Sequence, residues 1–309
     1  MKYCDLHCDA LTAEGQAQIT RARLMEGGCL LQCFAAFVSE REGRFRSALA
    51  LADRFGALCK SEGYNRVCRC SELKENEVNA LLTVEEGGAI EGDLAKLRAL
   101  YDRGVRMMTL TWNYPNEIGF PSFPFYDSFF NGPTPDFTTR DTKRGLTGFG
   151  RQTVEEMNAL GMIVDVSHGS DKLVEDVAEV SRAPFVASHS NAQSAYDCSR
   201  NLTDEGIRLI ADSGGVVGLN FCADFLSDDK SAEGQFAAMI AHARAIVNAG
   251  GEDVLAIGSD FDGIPENPAV KNPAYLPRLF DALSRALSSR VAEKCARSNF
   301  LRVFRAVCG

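Results

Sequence analysis

Three of the four histidines in this chain, His7, His168 and His189, stand at the ends of short apolar runs, each close to a carboxylate or a hydroxyl. His7 and Asp9 are two residues apart, so on a strand both side chains project to one side while Cys8 points the other way. That pair offers a nitrogen and an oxygen to one cation. Other runs end in Glu85-Glu86-Gly87-Gly88, Ser167-His168, Ser188-His189-Ser190 and Ser259-Asp260-Phe261-Asp262-Gly263. Three imidazoles (His7, His168, His189) and three carboxylates (Asp9, Glu86, Asp260) on one rim are costly to bury unless a cation balances them. The nitrogen-rich donor set points to a pair of divalent metals, zinc before others. His242 lies inside a helical pattern from Gln235 to Asn248 and reads as structural. Asp165, three residues before His168 in one strand, falls on the opposite face and reads as a supporting residue.

These residues converge only if the runs carrying them lie side by side. Eight strand candidates alternate with amphipathic stretches: Tyr3 to Asp9, Leu30 to Val38, Ala80 to Glu86, Val105 to Thr111, Met162 to His168, Phe185 to Ser190, Val216 to Phe221 and Val254 to Phe261. The helical stretches have recognisable ends: Asp93 to Arg103 closed by Gly104, Phe149 to Leu160 closed by Gly161, and a helix capped by Thr203 that finishes before Gly214. Eight such units, without a glycine-rich GxGxxG turn, predict an α/β fold of the (β/α)₈ TIM-barrel type, with the reactive side chains at the C-terminal mouth. One barrel domain spanning residues 1–309 is the expectation. The long connection from Trp112 to Arg144, rich in Pro and Phe, follows the fourth strand and should overhang that mouth, as a lid or as a self-packed surface loop.

The bulk composition narrows the function. With 45% hydrophobic and 24% charged residues the chain has ample material for a core. A net charge of -9 argues against a nucleic-acid surface, which needs a concentrated positive field. No window reaches the roughly 18 uninterrupted apolar residues of a membrane span, and Met1 to Asp9 enters a strand pattern without a signal-like segment; a cytoplasmic location and no membrane partner are expected. Eleven cysteines with irregular spacing read as reduced thiols packed in the core. Cys68 and Cys70, or Cys29 and Cys33, lack the further ligands of a tetrahedral zinc site.

The chain resembles the membrane (renal) dipeptidase family, zinc dipeptidases of the amidohydrolase-like barrels. The likeness is carried nearly end to end: D-L-H-C-D at 5 to 9, E-G-G at 86 to 88, G-V-R-M-M-T-L-T at 104 to 111, G-L-T-G-F-G at 145 to 150, V-D-V-S-H at 164 to 168, A-S-H-S at 187 to 190, R-N at 200 and 201, and G-S-D-F-D-G at 258 to 263. The resemblance implies that His7 and Asp9 hold one Zn²⁺, His168 and His189 the other, and Glu86 bridges them, because the family glutamate directly precedes two glycines. Glu85 would then face the outer layer. It further implies a metal-bridging hydroxide as nucleophile, Asp260 as the residue that takes and returns the proton, and Arg200 as the bidentate partner of a dipeptide's free carboxylate, with Asn201 beside it. Dipeptides with a C-terminal D-residue fall within the implied range, and a homodimer is the expected assembly.

One departure stands out. After T-L-T at 109 to 111, renal members carry a histidine that touches the reacting oxygen, whereas this chain has Trp112 and Asn113. Loss of one such donor can cost ~10²-fold in rate unless another group replaces it, and the indole of Trp112 or the amide of Asn113 is the candidate replacement. The departure keeps two alternatives open: a metal-dependent hydrolase of another small substrate (an N-acyl amino acid, a lactone or a phosphoester) on the same barrel, or a non-catalytic member of the fold.

Overall fold

The computed structural model describes residues 1–124 and 137–309. Its sheet is parallel throughout. The strands are β1 (Tyr3–Asp5), β2 (Cys29–Phe37), β3 (Asn65–Arg66), β4 (Asn79–Glu85), β5 (Val105–Thr109), β6 (Ile163–Asp165), β7 (Val217–Leu219) and β8 (Leu255–Ile257). They pair in the order β6-β5-β4-β2-β1-β8-β7, with the short β3 attached to β4. Between β6 and β7 the chain contributes single bridges, Asp165 to Val186 and Ala187 to Val217, which close the ring. The eight expected positions are therefore all present. The sixth is reduced to bridging residues, and β3 is an addition that its two residues gave no periodicity to reveal.

Side-chain alternation divides the core in two. One set, including Leu31 and Cys33 of β2, Leu81 of β4, Met107 of β5 and Ile163 of β6, packs inside the ring. The neighbours of opposite parity, Phe34 and Ala36, Leu82 and Val84, Met108 and Val164, pack against the surrounding helices. Phe300 and Phe304, stacked 6.2 Å apart on the helix Asn299–Cys308, join Val303 in sealing the interior set. Full burial of side chains this size is worth ~1.5–3 kcal/mol each.

The helix ends follow from their capping residues. Asp93 accepts from the Ala95 N–H, Thr147 from Gly150 and Thr203 from Gly206, while Gly161 at φ 75° ends the helix Gly148–Leu160 in the left-handed conformation. All eleven cysteines are free thiols, nine of them buried. No helix among the described residues is long and apolar enough to cross a membrane.

The strands end sooner than the sequence patterns suggest. β1 stops at Asp5 and β6 at Asp165, so His7, Asp9 and His168 lie on the outgoing turns. Part of the Trp112 to Arg144 connection, including Phe125, Tyr126, Phe129, Phe130, Pro133 and Pro135, lies outside the described residues.

Candidate active site

The last residue of β4 and the turns leaving β1, β6 and β8, with the Ser188–Ser190 segment, bring His7, Asp9, Glu85, His168, His189 and Asp260 together, all buried. Glu85 stands at the centre. Its Oε2 lies 3.4 Å from His7 Nε2, while its Oε1 lies 3.0 Å from His168 Nε2 and 3.5 Å from His189 Nε2. On the far side of His7, Asp9 Oδ2 is 3.3 Å and Asp260 Oδ1 3.8 Å from the same nitrogen. Two overlapping donor groups result, His7 with Glu85 and His189, and His7 with Asp9 and Asp260.

This corrects the expectation for Glu86. Glu85 shares the parity of Leu81, which packs in the ring interior, whereas Glu86 has the parity of Leu82 and Val84, which pack outward. The Glu86 carboxylate is engaged elsewhere: Oε1 accepts from the Gly88 N–H and from Asn116 Nδ2, and Oε2 accepts from the Trp112 N–H at 2.7 Å. Burial pushes its pKa up to about 7 against these hydrogen bonds. Glu86 thus ties the turn after β4 to the segment after β5.

The donor set fits divalent cations on the structure's own terms. Among the described residues His7 Nε2 and Asp9 Oδ1 are buried without a hydrogen-bond partner, and such orphaned groups are rare unless something binds them. His168 Nε2 and His189 Nε2 face each other at 2.8 Å. The far nitrogen of each ring is already engaged: His168 Nδ1 with Asn113 Oδ1 at 2.9 Å and His189 Nδ1 with Ser188 Oγ at 2.8 Å. An amide oxygen only accepts, so His168 Nδ1 carries the proton and Nε2 turns a lone pair inward.

The charge balance says the same. Burial alone would lower His7, yet the carboxylates of Asp9 and Glu85 hold it well above its ordinary value. Burial would raise Glu85, but the charge drawn onto His7 holds it well below the usual carboxylate range. Burial, helped by the charge of Arg200, lowers His168 to about 4, and burial also lowers His189. Burial thus favours the neutral, ligating form of His168 and His189, while the carboxylates around His7 draw positive charge to its position, where a bound cation would supply it.

The backbone is bent to hold this arrangement. Among the described residues five non-glycine residues have positive φ, and four of them border the site: Glu86 (85°), His168 (66°), Asp260 (65°) and Asp262 (70°). Such conformations cost about 1–3 kcal/mol each and persist where surrounding contacts enforce them. Here they are enforced by Asp260 N–H to His7 O at 3.2 Å, Ser122 N–H to His168 O at 2.7 Å, and the Asp262 carboxylate, which accepts from the N–H groups of Gln18 and Ile19. Gly263 is required by proximity: a Cβ there would lie 2.0 Å from Asp9 Oδ2.

A cavity of about 610 Å³ opens over the cluster. Asp9, Glu85, His168 and Asp260 form its polar floor, and Phe37, Trp112, Phe137, Phe225 and Ile264 its apolar walls. The Trp112 ring stands 4.9 Å from Phe37 and 6.3 Å from His168, and Asn113, with its oxygen given to His168, also lines the space. Arg200 is buried beside the cavity: its Nη2 donates to His189 O at 3.3 Å, its guanidinium carbon sits 5.4 Å over the Phe225 ring, and its Nε has no hydrogen-bond partner among the described residues. Asn201 is not aimed at the cavity by any bond; its Nδ2 ties down Tyr196 O and Phe225 O, a role of loop support.

Asp260 Oδ2 accepts from Asn220 Nδ2 at 2.9 Å, and burial raises its pKa. Asn220 escaped the reading of the sequence because β7 ends at Leu219 without a titratable residue. His242 lies apart, accepting from the Ala192 N–H and bonding Leu226 O, as a structural residue would.

The chain is similar to known proteins in sequence and in fold. A Klebsiella pneumoniae protein from the pqqA 5′ region is 35% identical over 274 residues, covering 87% of this chain and 92% of its own length. Mouse dipeptidase 3 is 30% identical over 94% of this chain, and the chain spans only 58% of that relative's length. A crystal structure of a metallo peptidase from Rhodobacter sphaeroides, liganded with a phosphinate mimic of the dipeptide L-Ala-D-Ala, superposes with a TM-score of 0.86 at 26% identity and 99% coverage of both chains. Residues 4–308 match the membrane dipeptidase family, peptidase family M19, and the chain belongs to it.

Proposed function

We propose that this protein is a zinc-dependent dipeptidase that holds two Zn²⁺ ions and cleaves the single peptide bond of its substrate. The observation that carries the reading is Glu85, whose two oxygens face two different imidazole groups, so that one carboxylate joins two cation positions. His7 and Asp9 would hold one ion, His168 and His189 the other, and Glu85 both. Bound zinc would lower the pKa of a water to near neutrality and polarise the scissile carbonyl.

The chain's own groups do the rest. Asp260, raised by burial and steadied by Asn220, is placed beside His7 to take the water's proton and return it to the departing amine. Arg200 supplies a guanidinium whose Nε–H has no partner among the described residues for the free carboxylate of the substrate, which selects dipeptides over longer chains. The walls of Phe37, Trp112, Phe137 and Phe225 favour apolar side chains, and Trp112 stands at the sequence position where renal members carry a histidine. Acceptance of a C-terminal D-residue is supported by the ligand carried by the Rhodobacter sphaeroides relative.

Purified protein loaded with zinc should release amino acids from L,L and L,D dipeptides, lose that activity on chelation and regain it with zinc. Failure to hydrolyse any dipeptide refutes the proposal. Arg200→Met should raise KM for dipeptides by roughly 10- to 100-fold, the worth of a charge-assisted hydrogen bond, while leaving the zinc content unchanged.

A further inference from the structure

Two buried aspartates outside the cation cluster make the same set of bonds, one on each side of the ring. Asp5, the last residue of β1, accepts from the Ser259 N–H at 2.9 Å and the His7 N–H at 3.4 Å through Oδ1, and from the Ser259 hydroxyl at 2.5 Å through Oδ2. Asp165, the last residue of β6, accepts from the Ser188 N–H at 2.8 Å and the Ser167 N–H at 3.0 Å through Oδ1, and from the Ser188 hydroxyl at 2.6 Å through Oδ2. In both cases the aspartate grips the amide two residues along its own chain together with the amide and hydroxyl of a serine from the neighbouring barrel position. In both, the next residue after that serine belongs to the site, Asp260 in one and His189 in the other.

We infer that Asp5 and Asp165 are positioning residues of a twice-used clamp that sets Asp260 and His189 in place, an inference that rests on the roles proposed above for those two residues. The Asp165 clamp reaches further than geometry. A serine hydroxyl has one proton. Ser188 gives its proton to Asp165, whose oxygen can only accept, so toward His189 Nδ1 at 2.8 Å and Ser167 Oγ at 3.3 Å it must accept. Ser167 has a proton to give, since its oxygen already accepts from the His189 N–H at 3.0 Å. His189 Nδ1 therefore carries the ring proton, and Nε2 is left with its lone pair directed at Glu85 and His168. The chain Asp165, Ser188, His189 writes the tautomer that a metal-binding histidine needs. Thr109, whose hydroxyl donates to Asp165 Oδ2 at 2.6 Å, completes the aspartate's shell.

The test reads the tautomer and the metal separately. Long-range proton–nitrogen NMR on the metal-free protein, labelled with ¹⁵N at histidine, should show His189 protonated at Nδ1, and Ser188→Ala should shift it toward a mixture. Zinc retention against graded chelator should fall about 10- to 100-fold in Ser188→Ala and in Asp165→Asn, with the melting temperature monitoring the fold. On the other side of the ring, Ser259→Ala should lower kcat about tenfold with little change in KM. A wild-type His189 protonated at Nε2, or a folded Ser188→Ala that keeps the wild-type tautomer and zinc affinity, overturns the clamp. A wild-type protein that takes up no zinc refutes the functional reading instead, and the clamp then stands or falls on the tautomer alone.

Discussion

Exchanging each of the adjacent glutamates for glutamine separates the two roles assigned to them. In Glu85→Gln the carboxylate facing three imidazole nitrogens at 3.0–3.5 Å becomes an amide, which keeps one acceptor and turns an N–H₂ toward the other group. A hydrogen bond to a charged partner is worth about 1.5–3 kcal/mol, so replacing one oxygen should weaken cation binding by roughly 10- to 150-fold at 1.4 kcal/mol per tenfold. In Glu86→Gln the donors to be satisfied are the N–H groups of Gly88 and Trp112 and the amide of Asn116. One of the two oxygens is lost, and a donor then faces a donor. The cost is about 1–3 kcal/mol of stability, with the cation site intact. Zinc per chain measured by elemental analysis after gel filtration in metal-free buffer, together with thermal melting, distinguishes them: Glu85→Gln loses zinc and Glu86→Gln loses melting temperature. The reverse pattern, zinc lost from Glu86→Gln and retained by Glu85→Gln, would refute the assignment.

Asp260→Asn should lower kcat by about 10²- to 10⁴-fold, the usual worth of a general acid or base, with zinc content unchanged; steady-state kinetics beside elemental analysis checks it, and undiminished turnover sinks the proton-carrying role. Trp112→Ala removes one apolar wall, and since burying an aromatic side chain is worth about 1.5–3 kcal/mol, kcat/KM for Leu-Leu should drop about tenfold or more while Gly-Gly changes little. An equal loss for both substrates would mean that Trp112 does not contact substrate side chains. His242, lowered by burial, is neutral in the folded protein and takes a proton more readily when unfolded. Its contribution to stability is present above the unfolded value near 6.5 and is lost as pH falls below it, at up to about 1.4 kcal/mol per pH unit. Denaturant titrations of wild type and His242→Gln between pH 7 and 5 should show a shallower fall in the variant, and identical slopes would refute the account.

The barrel was legible because its eight units repeat one pattern, and the clustering of three histidines at strand ends marks the rim in the sequence itself. The choice between Glu85 and Glu86 turned on parity. Both residues carry the same charge, and the two glycines of the resembling motif drew the assignment one place too far, whereas continuing the alternation of Leu81 and Thr83 reaches Glu85. His7 and Asp9 do meet, 3.3 Å apart, though as residues of a turn and not of a continuous strand; the bend after Asp5 comes from bonds to Ser259, 254 residues away, which no local pattern contains. Asn113 and Asn201 are likewise polar residues whose partners, His168 and the carbonyls of Tyr196 and Phe225, only the folded chain identifies.

Glu86 holds the segment after β5 by the backbone amide of residue 112, not by its side chain. Every residue except proline presents the same N–H there, so the anchor does not depend on the side chain it carries. Position 112 is in effect a socket: a histidine or an indole can be exchanged there without moving the frame that aims it. Among relatives this would let selectivity at the mouth drift quickly while the floor of histidines and carboxylates stays fixed. For an engineer it marks residue 112 as the place to vary when a different substrate side chain is wanted.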